Sequence, residues 1–398
     1  MIHFGYLALV LTGITAQGPQ TAPTCLRVNL LRHPEAAVIT DSNLSFSWVV
    51  NDSRHGAMQS TYQIELDHAD GKLVWSTGRV KSGDSTQVYY AGPKLKSDRY
   101  QWRVRTGDKA GQFSPWSKFQ HFDLRLDSPG AKPRLWPSES RWVETSTGHV
   151  LENRQHAAFS PSKQVTVKKL DGDRWVCDFG KAAFGTFSFG LSTNYSGPLT
   201  VRLGERSSGD GGVDSNVGRS SIGYIQAAAV AEKGVFTVNL PRHVGKYPHS
   251  QSLPEFMPEV MPFRYAEIRG IPVGTQPINA VQDRLLYDFD EDASEFSCSD
   301  PRLQKVWDLC KYTLHATPFL SLYCDGNRER MPYEADSYIQ QLGHASVDSE
   351  FTAARYTLEF LLNHASWPTE WQAHTIFMAW QQWMSTGDLS TARRYYAL

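Results

Sequence analysis

Between Cys324 and Asp336 the chain reads CDGNRERMPYEAD. Four carboxylates (Asp325, Glu329, Glu334 and Asp336), two arginines (Arg328 and Arg330) and Tyr333 crowd into this stretch. A carboxyl group placed against a reacting oxygen gives or takes a proton. A carboxylate also accepts charge-assisted hydrogen bonds from ligand hydroxyls. The same residues suit a plainer role, because acids at a helix N-terminus favour the macrodipole. Glu334 fits that structural role best, in the first turn of a following helix. A second cluster, WPTEWQAHTIFMAWQQW (367–383), places Trp367, Glu370 and Trp371 at a helix start. Trp380 and Trp383 are expected in the core. His344, His364 and His374 are expected to be structural.

The elements that must hold these residues change character along the chain. From 25 to 125, runs such as NLSFSWVV, STYQIELDH and DRYQWRVRT alternate apolar and polar positions, with turn signals at Asp70-Gly71 and Gly107-Asp108. This pattern predicts a small β-sandwich of immunoglobulin type, with Trp48 and Trp102 in its core and Trp116 over its last edge. The stretch 129–137, PGAKPRLWP, reads as a linker. Alternation resumes in QVTVKKL, RWVCDFG, GTFSFGL, PLTVRLGE, GVFTVNL and RYAEIRG, predicting a second β domain over 138–288. The polar loop SSGDGGVDSNVG (207–218) carries oxygens that suit calcium but lacks EF-hand spacing, so no metal is assigned to it. Near residue 296 the period lengthens. Asp300-Pro301 is a helix start, and Leu303, Val306, Trp307, Cys310 and Leu314 fall on one helical face. Further helices are predicted at 334–346, 350–364, 371–385 and from about 389.

Composition narrows the partners. With 40% hydrophobic and 20% charged residues and a formal net charge of -1, the chain can bury cores and has no overall basic bias toward nucleic acid. The run from Phe4 to Ile14 is too short to span a bilayer and predicts a signal peptide over 1–16, hence a secreted or periplasmic protein. No later run suits a membrane span. The five cysteines are scattered and odd in number, so buried thiols are expected rather than a disulfide framework or a zinc site. No cofactor is called for.

Four motifs, taken in order, resemble the bacterial α-L-rhamnosidases of glycoside hydrolase family seventy-eight. CLRVNLLRHPEAAVITDSNLSFSW is similar to that family's opening strands, and YYAGPKLKSDRYQWRVRTGDKAGQFSPWS to the second half of its fibronectin type III-like domain. WVCDFGKAAFGTFSFGL, with LTVRLGE and FRYAEIRG, resembles its next β-sandwich, and CDGNRERMPYEAD its catalytic loop. The resemblance implies a fibronectin type III-like β-sandwich over 25–125, a β-sandwich accessory domain over 138–288, and the N-terminal part of an all-α (α/α)6 barrel over 292–398. It implies release of terminal α-L-rhamnose from polysaccharides or glycosides by an inverting acid/base mechanism. Glu329 aligns with the general acid. Asp325, Arg328, Tyr333 and Asp336 align with sugar-binding positions, and Trp367 and Trp371 stand where they can reach a substrate. Tyr333 replaces the family's usual tryptophan, and Asp325 is one residue closer to Glu329 than in some members. A high pKa for the acid requires Arg328 and Arg330 to point away from it. The family's general base lies on a later helix, so the barrel is expected to be incomplete, with uncovered apolar helix faces. Glu370 is a poor substitute for that base. The alternatives are a non-catalytic carbohydrate-binding protein or another (α/α)6 enzyme such as a polysaccharide lyase.

Overall fold

The structure, a computed structural model, describes residues 20–126, 142–145, 148–153, 157–162, 165–218, 221–245 and 247–398. The proposed signal peptide and the linker stretch 129–137 lie outside the described residues.

The first domain is a sandwich of two sheets. One contains Thr24–Val28, Ser45–Val49 and Val88–Tyr89. The other runs in the order Val38–Ile39, Gln120–Leu124, Asp98–Gly107, Thr61–His68 and Leu73–Ser76, with Val80–Lys81 also on Thr61–His68. Strand alternation sorts the side chains. In Asp98–Gly107, Tyr100, Trp102, Val104 and Thr106 are buried. They meet Phe46, Trp48, Ile64 and Phe122 in a core that contains both predicted tryptophans. The outward Arg103 and Arg105 lie 4.5 and 4.6 Å from the Trp116 ring. Trp116 therefore covers the outer face of this strand.

The second β domain is organised by one long strand, Trp175–Leu191. The sequence pattern suggested two strands here, and the chain instead continues through a register shift between Asp178 and Ala183. Gly180, at φ +77°, supplies the left-handed step in that irregularity. The strand pairs with Met261–Arg269 through its first part and with Val235–Val238 and Pro277–Tyr287 through its second. Leu199–Gly204 and Tyr224–Glu232 complete the circuit back to Met261–Arg269. The sheet thus closes on a core that includes Phe187, Phe189, Phe236 and Phe263. Asp210, in the polar loop, is taken up by Ser208, the Gly212 N–H and Arg174. No cluster of three or more metal-ligating side chains occurs among the described residues.

Helices follow: α1 (Pro301–Ala316), α2 (Glu334–Val347), α3 (Thr352–Asn363), α4 (His374–Thr386) and α5 (Ser390–Tyr395). The Asp300 carboxylate accepts the Arg302 N–H at 2.9 Å, so the predicted cap of α1 forms. Gly387, at φ +71°, ends α4 in the left-handed conformation. No described helix is long and apolar enough to cross a membrane. Several apolar helix faces stay open. Leu303, Val306 and Leu309 are exposed on α1, and Ile376, Trp380 and Met384 on α4. Trp380 is 58% exposed, so it is not a core residue, and Trp383, half-buried, packs edge-on against it. The cysteines are all free, but only Cys177 and Cys324 are buried, contrary to the general expectation of buried thiols.

The β and helical regions share buried structure. Phe184, Val260 and Leu285 from the second β domain pack with Phe319, Leu322, Leu358 and Phe360. From the first domain, Arg32 pairs with the buried Asp348 at 3.0 Å. His344 bridges Asp348 and the Tyr323 hydroxyl, at 3.0 and 2.6 Å. Buried charges persist only when partnered in this way, and His344 has the structural role expected of it.

Candidate active site

The segment Phe319–Cys324 is buried against the second β domain and α3, which fixes where the charged loop begins. The loop then turns at Gly326, φ +115°, and returns through Arg330, φ +48°. A non-glycine residue at positive φ is strained and needs outside support. Arg330 has it. The guanidinium pairs with Glu259 at 2.7 Å and donates to the Val260 carbonyl at 2.6 Å. Asn327 Oδ1 accepts from Arg330 Nε and Nη2 at 3.1 and 2.9 Å, and the cation lies 4.7 Å from the Phe319 ring centroid. The side chain is about 2% exposed. Arg330 is therefore a structural rivet facing away from Glu329, as expected.

Arg328 does the opposite. Its Nη2 lies 3.0 Å from Glu329 Oε1, which corrects the expectation that both arginines turn away. The reason is packing: Arg330 fills an interior position opposite the buried Glu259 carboxylate, and Arg328 stays on the surface beside its sequence neighbour. Glu329 itself is only 5% exposed, and the Tyr333 hydroxyl donates to its Oε2. Asp325 shares a side-chain hydrogen bond with Glu329. Desolvation of its carboxyl by the loop first, and this shared bond next among the raising effects, push Asp325 up to about 6, against a lowering hydrogen bond from the Met331 N–H, although the residue as a whole is exposed. Two carboxyl groups this close hold one proton between them readily, since both cannot ionise at low cost. Burial and the Glu329 carboxylate likewise raise the Tyr333 phenol, keeping it a neutral donor.

Tyr333 immediately precedes α2. Its ring meets Trp367 edge-on at 6.2 Å, and Trp367 packs on Trp371 at 5.7 Å. Glu334, fully buried, accepts from the Ser366 N–H at 2.8 Å and from its hydroxyl. It thus pins the turn that carries Trp367, the structural role assigned to it. Asp325, Arg328, Glu329, Tyr333, Trp367 and Trp371 form one chain of contacts. Asp336 lies in the first turn of α2, half-buried, its carboxyl raised by desolvation, with no hydrogen bond to that set among the described residues. Glu370 is exposed and bonded by Thr369, which lowers its pKa, so it is unsuited as a base. Asp325 and Arg328 line a cleft of about 790 Å3 between α1 and the second β domain; Glu329, bonded to both, is not among its lining residues. Sequence reasoning missed Glu259 and Asn327, the partners of Arg330. Glu259 lies in another domain's strand region, and nothing local marks it.

Two families match. Residues 23–126 match the Rha78A-like, N-terminal immunoglobulin domain, and residues 291–398 the bacterial alpha-L-rhamnosidase 6 hairpin glycosidase domain. These two stretches of the chain are similar to domains of the bacterial α-L-rhamnosidases. An alpha-L-rhamnosidase of Formosa agariphila is 35% identical over 172 residues, covering 37% of this chain and 18% of that protein. One of Streptomyces avermitilis is 43% identical over 138 residues, 33% of this chain and 11% of that protein. The chain thus matches less than a fifth of the length of these two curated rhamnosidases. In fold, the chain resembles the α-L-rhamnosidase of Dictyoglumus thermophilum, with TM-score 0.66, 14% identity, and coverage of 94% of this chain and 63% of that one. It also resembles a Streptomyces avermitilis α-L-rhamnosidase complexed with L-rhamnose, with TM-score 0.66, 12% identity, and coverage of 94% and 70%. The rhamnosidase architecture, β domains followed by helical hairpins, is therefore the architecture of this chain.

Proposed function

We propose that this chain is part of a glycoside hydrolase that releases terminal α-L-rhamnose from polysaccharides or glycosides, with Glu329 as general acid. The observation that carries the proposal is the placement of the Glu329 carboxyl, buried between the Tyr333 hydroxyl and Arg328 and hydrogen-bonded to Asp325 at the edge of the cleft. A proton held between two carboxyls can be passed to a glycosidic oxygen. Asp325, Arg328 and Asp336 supply charged partners for sugar hydroxyls. Tyr333, Trp367 and Trp371 supply ring faces for the apolar side of a deoxy sugar. Asp325 is not the base of an inverting pair. Such carboxyls stand about 6.5–9.5 Å apart to admit a water, whereas Asp325 and Glu329 touch. We assign the base to no residue of this chain.

Export to the periplasm or medium is part of the proposal and rests on the apolar run Phe4–Ile14. The test is hydrolysis of an α-L-rhamnoside followed by NMR of the first sugar released. β-L-rhamnose as the initial product supports an inverting rhamnosidase. An α-anomer contradicts inversion, and an unsaturated product absorbing in the ultraviolet means a lyase.

A further inference from the structure

The partners of the Glu329 carboxyl differ in how firmly they are held. Asp325 and Arg328 are exposed residues, and Arg328, on the surface at Oε1, can swing aside. Tyr333 is buried, and its hydroxyl donates to Oε2. Of these three, the phenol is the one that the surrounding fold fixes in place.

Pro332, whose ring sets its own φ, leads into Tyr333. The Tyr333 carbonyl accepts the Ser337 N–H at 2.8 Å, in the first turn of α2. The Tyr333 ring meets Trp367 edge-on, and Glu334 clasps the turn that carries Trp367 through Ser366. The loop on the other side is also closed. The Arg330 N–H donates to the Gly326 carbonyl at 3.0 Å, and the Asp325 N–H to the Met331 carbonyl at 3.2 Å. The backbone is therefore set at both ends of the contact between Glu329 and Tyr333. What the contact then decides is the last torsion of the Glu329 side chain. That torsion is broad in an unrestrained glutamate, and turning it exchanges Oε1 and Oε2. A fixed donor on Oε2 removes the choice.

We propose that Tyr333 is the positioning residue of the acid: its hydroxyl holds Glu329 Oε2 as an acceptor, so that Glu329 gives its proton from Oε1. The inference rests on the assignment of Glu329 as general acid. In the step itself the O–H bond at Oε1 breaks, its electron pair stays on Oε1, and the proton joins the leaving oxygen. Glu329 then carries a charge that it lacked before. The phenol bond to Oε2 becomes charge-assisted at that moment and strengthens. An interaction that grows as the reaction proceeds raises kcat, where an equal hold on the ground state would not. Tyr333 thus acts through Glu329, separately from any contact between its ring and a sugar.

The experiment compares the wild-type protein with Tyr333→Phe, which keeps the ring and its contact with Trp367 and deletes the hydroxyl. Kinetics on a rhamnoside with a sugar leaving group are followed against pH. The basic limb of kcat/KM reports the general acid. It is expected to move up by about one pH unit, because a donor that favours the ionised carboxyl is gone. On the plateau kcat is expected to fall about tenfold, with KM within about twofold. A dinitrophenyl rhamnoside, whose leaving group needs no proton, should lose little. Carboxyl NMR of Glu329 in the same two proteins reads the same upward shift without turnover, and melting curves check the fold. A basic limb and an NMR midpoint that both stay in place overturn the positioning role and leave the acid assignment standing. So does a change confined to KM, which would assign the hydroxyl to the sugar. If Glu329→Gln costs the same on both leaving groups, the acid assignment falls and this inference falls with it.

Discussion

Arg328 and Arg330 are two residues apart, yet they belong to different regions of the molecule. The Arg330 half of the loop is sunk into the second β domain, paired to Glu259, stacked on Phe319 and held in a left-handed backbone conformation. The Arg328 half faces the cleft, with a side chain 61% exposed and an ion pair to Glu329. The difference teaches how a charged cluster is divided between stability and chemistry. A cation whose partner is buried and pre-placed becomes architecture. An identical cation whose own side chain stays exposed, as Arg328 does at 61%, remains available to a ligand. Glu329, between them, is buried and held by Tyr333, Asp325 and Arg328.

The largest effect should come from breaking the anchored half. Arg330→Met takes the short ion pair from the buried Glu259 carboxylate, leaving it Arg242 at 3.7 Å and the His243 and Val260 N–H groups, and should lower unfolding free energy by about 3 kcal/mol in a urea titration. The double change Arg330→Met with Glu259→Leu should recover most of that loss, because it removes both charges. A double variant as unstable as the single one would mean that loop strain, not the ion pair, dominates. Arg328→Ala should behave differently. Exposed ion pairs are worth about 0–1 kcal/mol, so its denaturation midpoint should barely move while rhamnose affinity falls severalfold by calorimetry.

A smaller effect sharpens the same contrast. The folded Asp325 carboxyl keeps its proton up to about pH 6, whereas the unfolded one releases it near the ordinary value, about 3.9. Folding therefore takes up a proton between those values, and this group's contribution to stability declines as pH rises through that window. Glu329→Gln removes the neighbouring carboxylate and should shift Asp325 titration, followed by carboxyl NMR, to lower pH. The smallest change should be Trp380→Ala on the open face of α4. A solvent-facing substitution should alter stability by no more than about 0.5 kcal/mol. A loss several times larger would show that this face is covered in solution.

Much of this was legible in the sequence because it is periodic or local. Period-two alternation located the sandwich strands and placed Trp48 and Trp102 in the core. The Asp300-Pro301 pair marked the start of α1, and the charged loop was recognisable from its own residues. What sequence could not give was pairing across long separations. Glu259 meets Arg330 only because the second β domain packs on the loop, and that partner decided which arginine turned inward. The strand Trp175–Leu191 was divided in two at its glycine, since a bulge and a turn look alike before pairing is known. Strands Tyr224–Glu232 and Pro277–Tyr287 were missed; the first is alanine-rich and the second alternates weakly. The helical period of α1 was correct, but period does not say whether an apolar face is covered, and Leu309 is 65% exposed.

The account stands on proton donation by Glu329, and the most direct test is how strongly its loss depends on the leaving group. The measurement compares kcat/KM of the wild-type protein and its Glu329→Gln variant on two rhamnosides, one with a dinitrophenolate leaving group and one with a sugar. A sugar alkoxide needs a proton to depart and dinitrophenolate does not. The variant should therefore lose about 100- to 10,000-fold on the sugar rhamnoside and only a few fold on the dinitrophenyl one. Equal losses on both substrates, or none on either, would contradict the assignment.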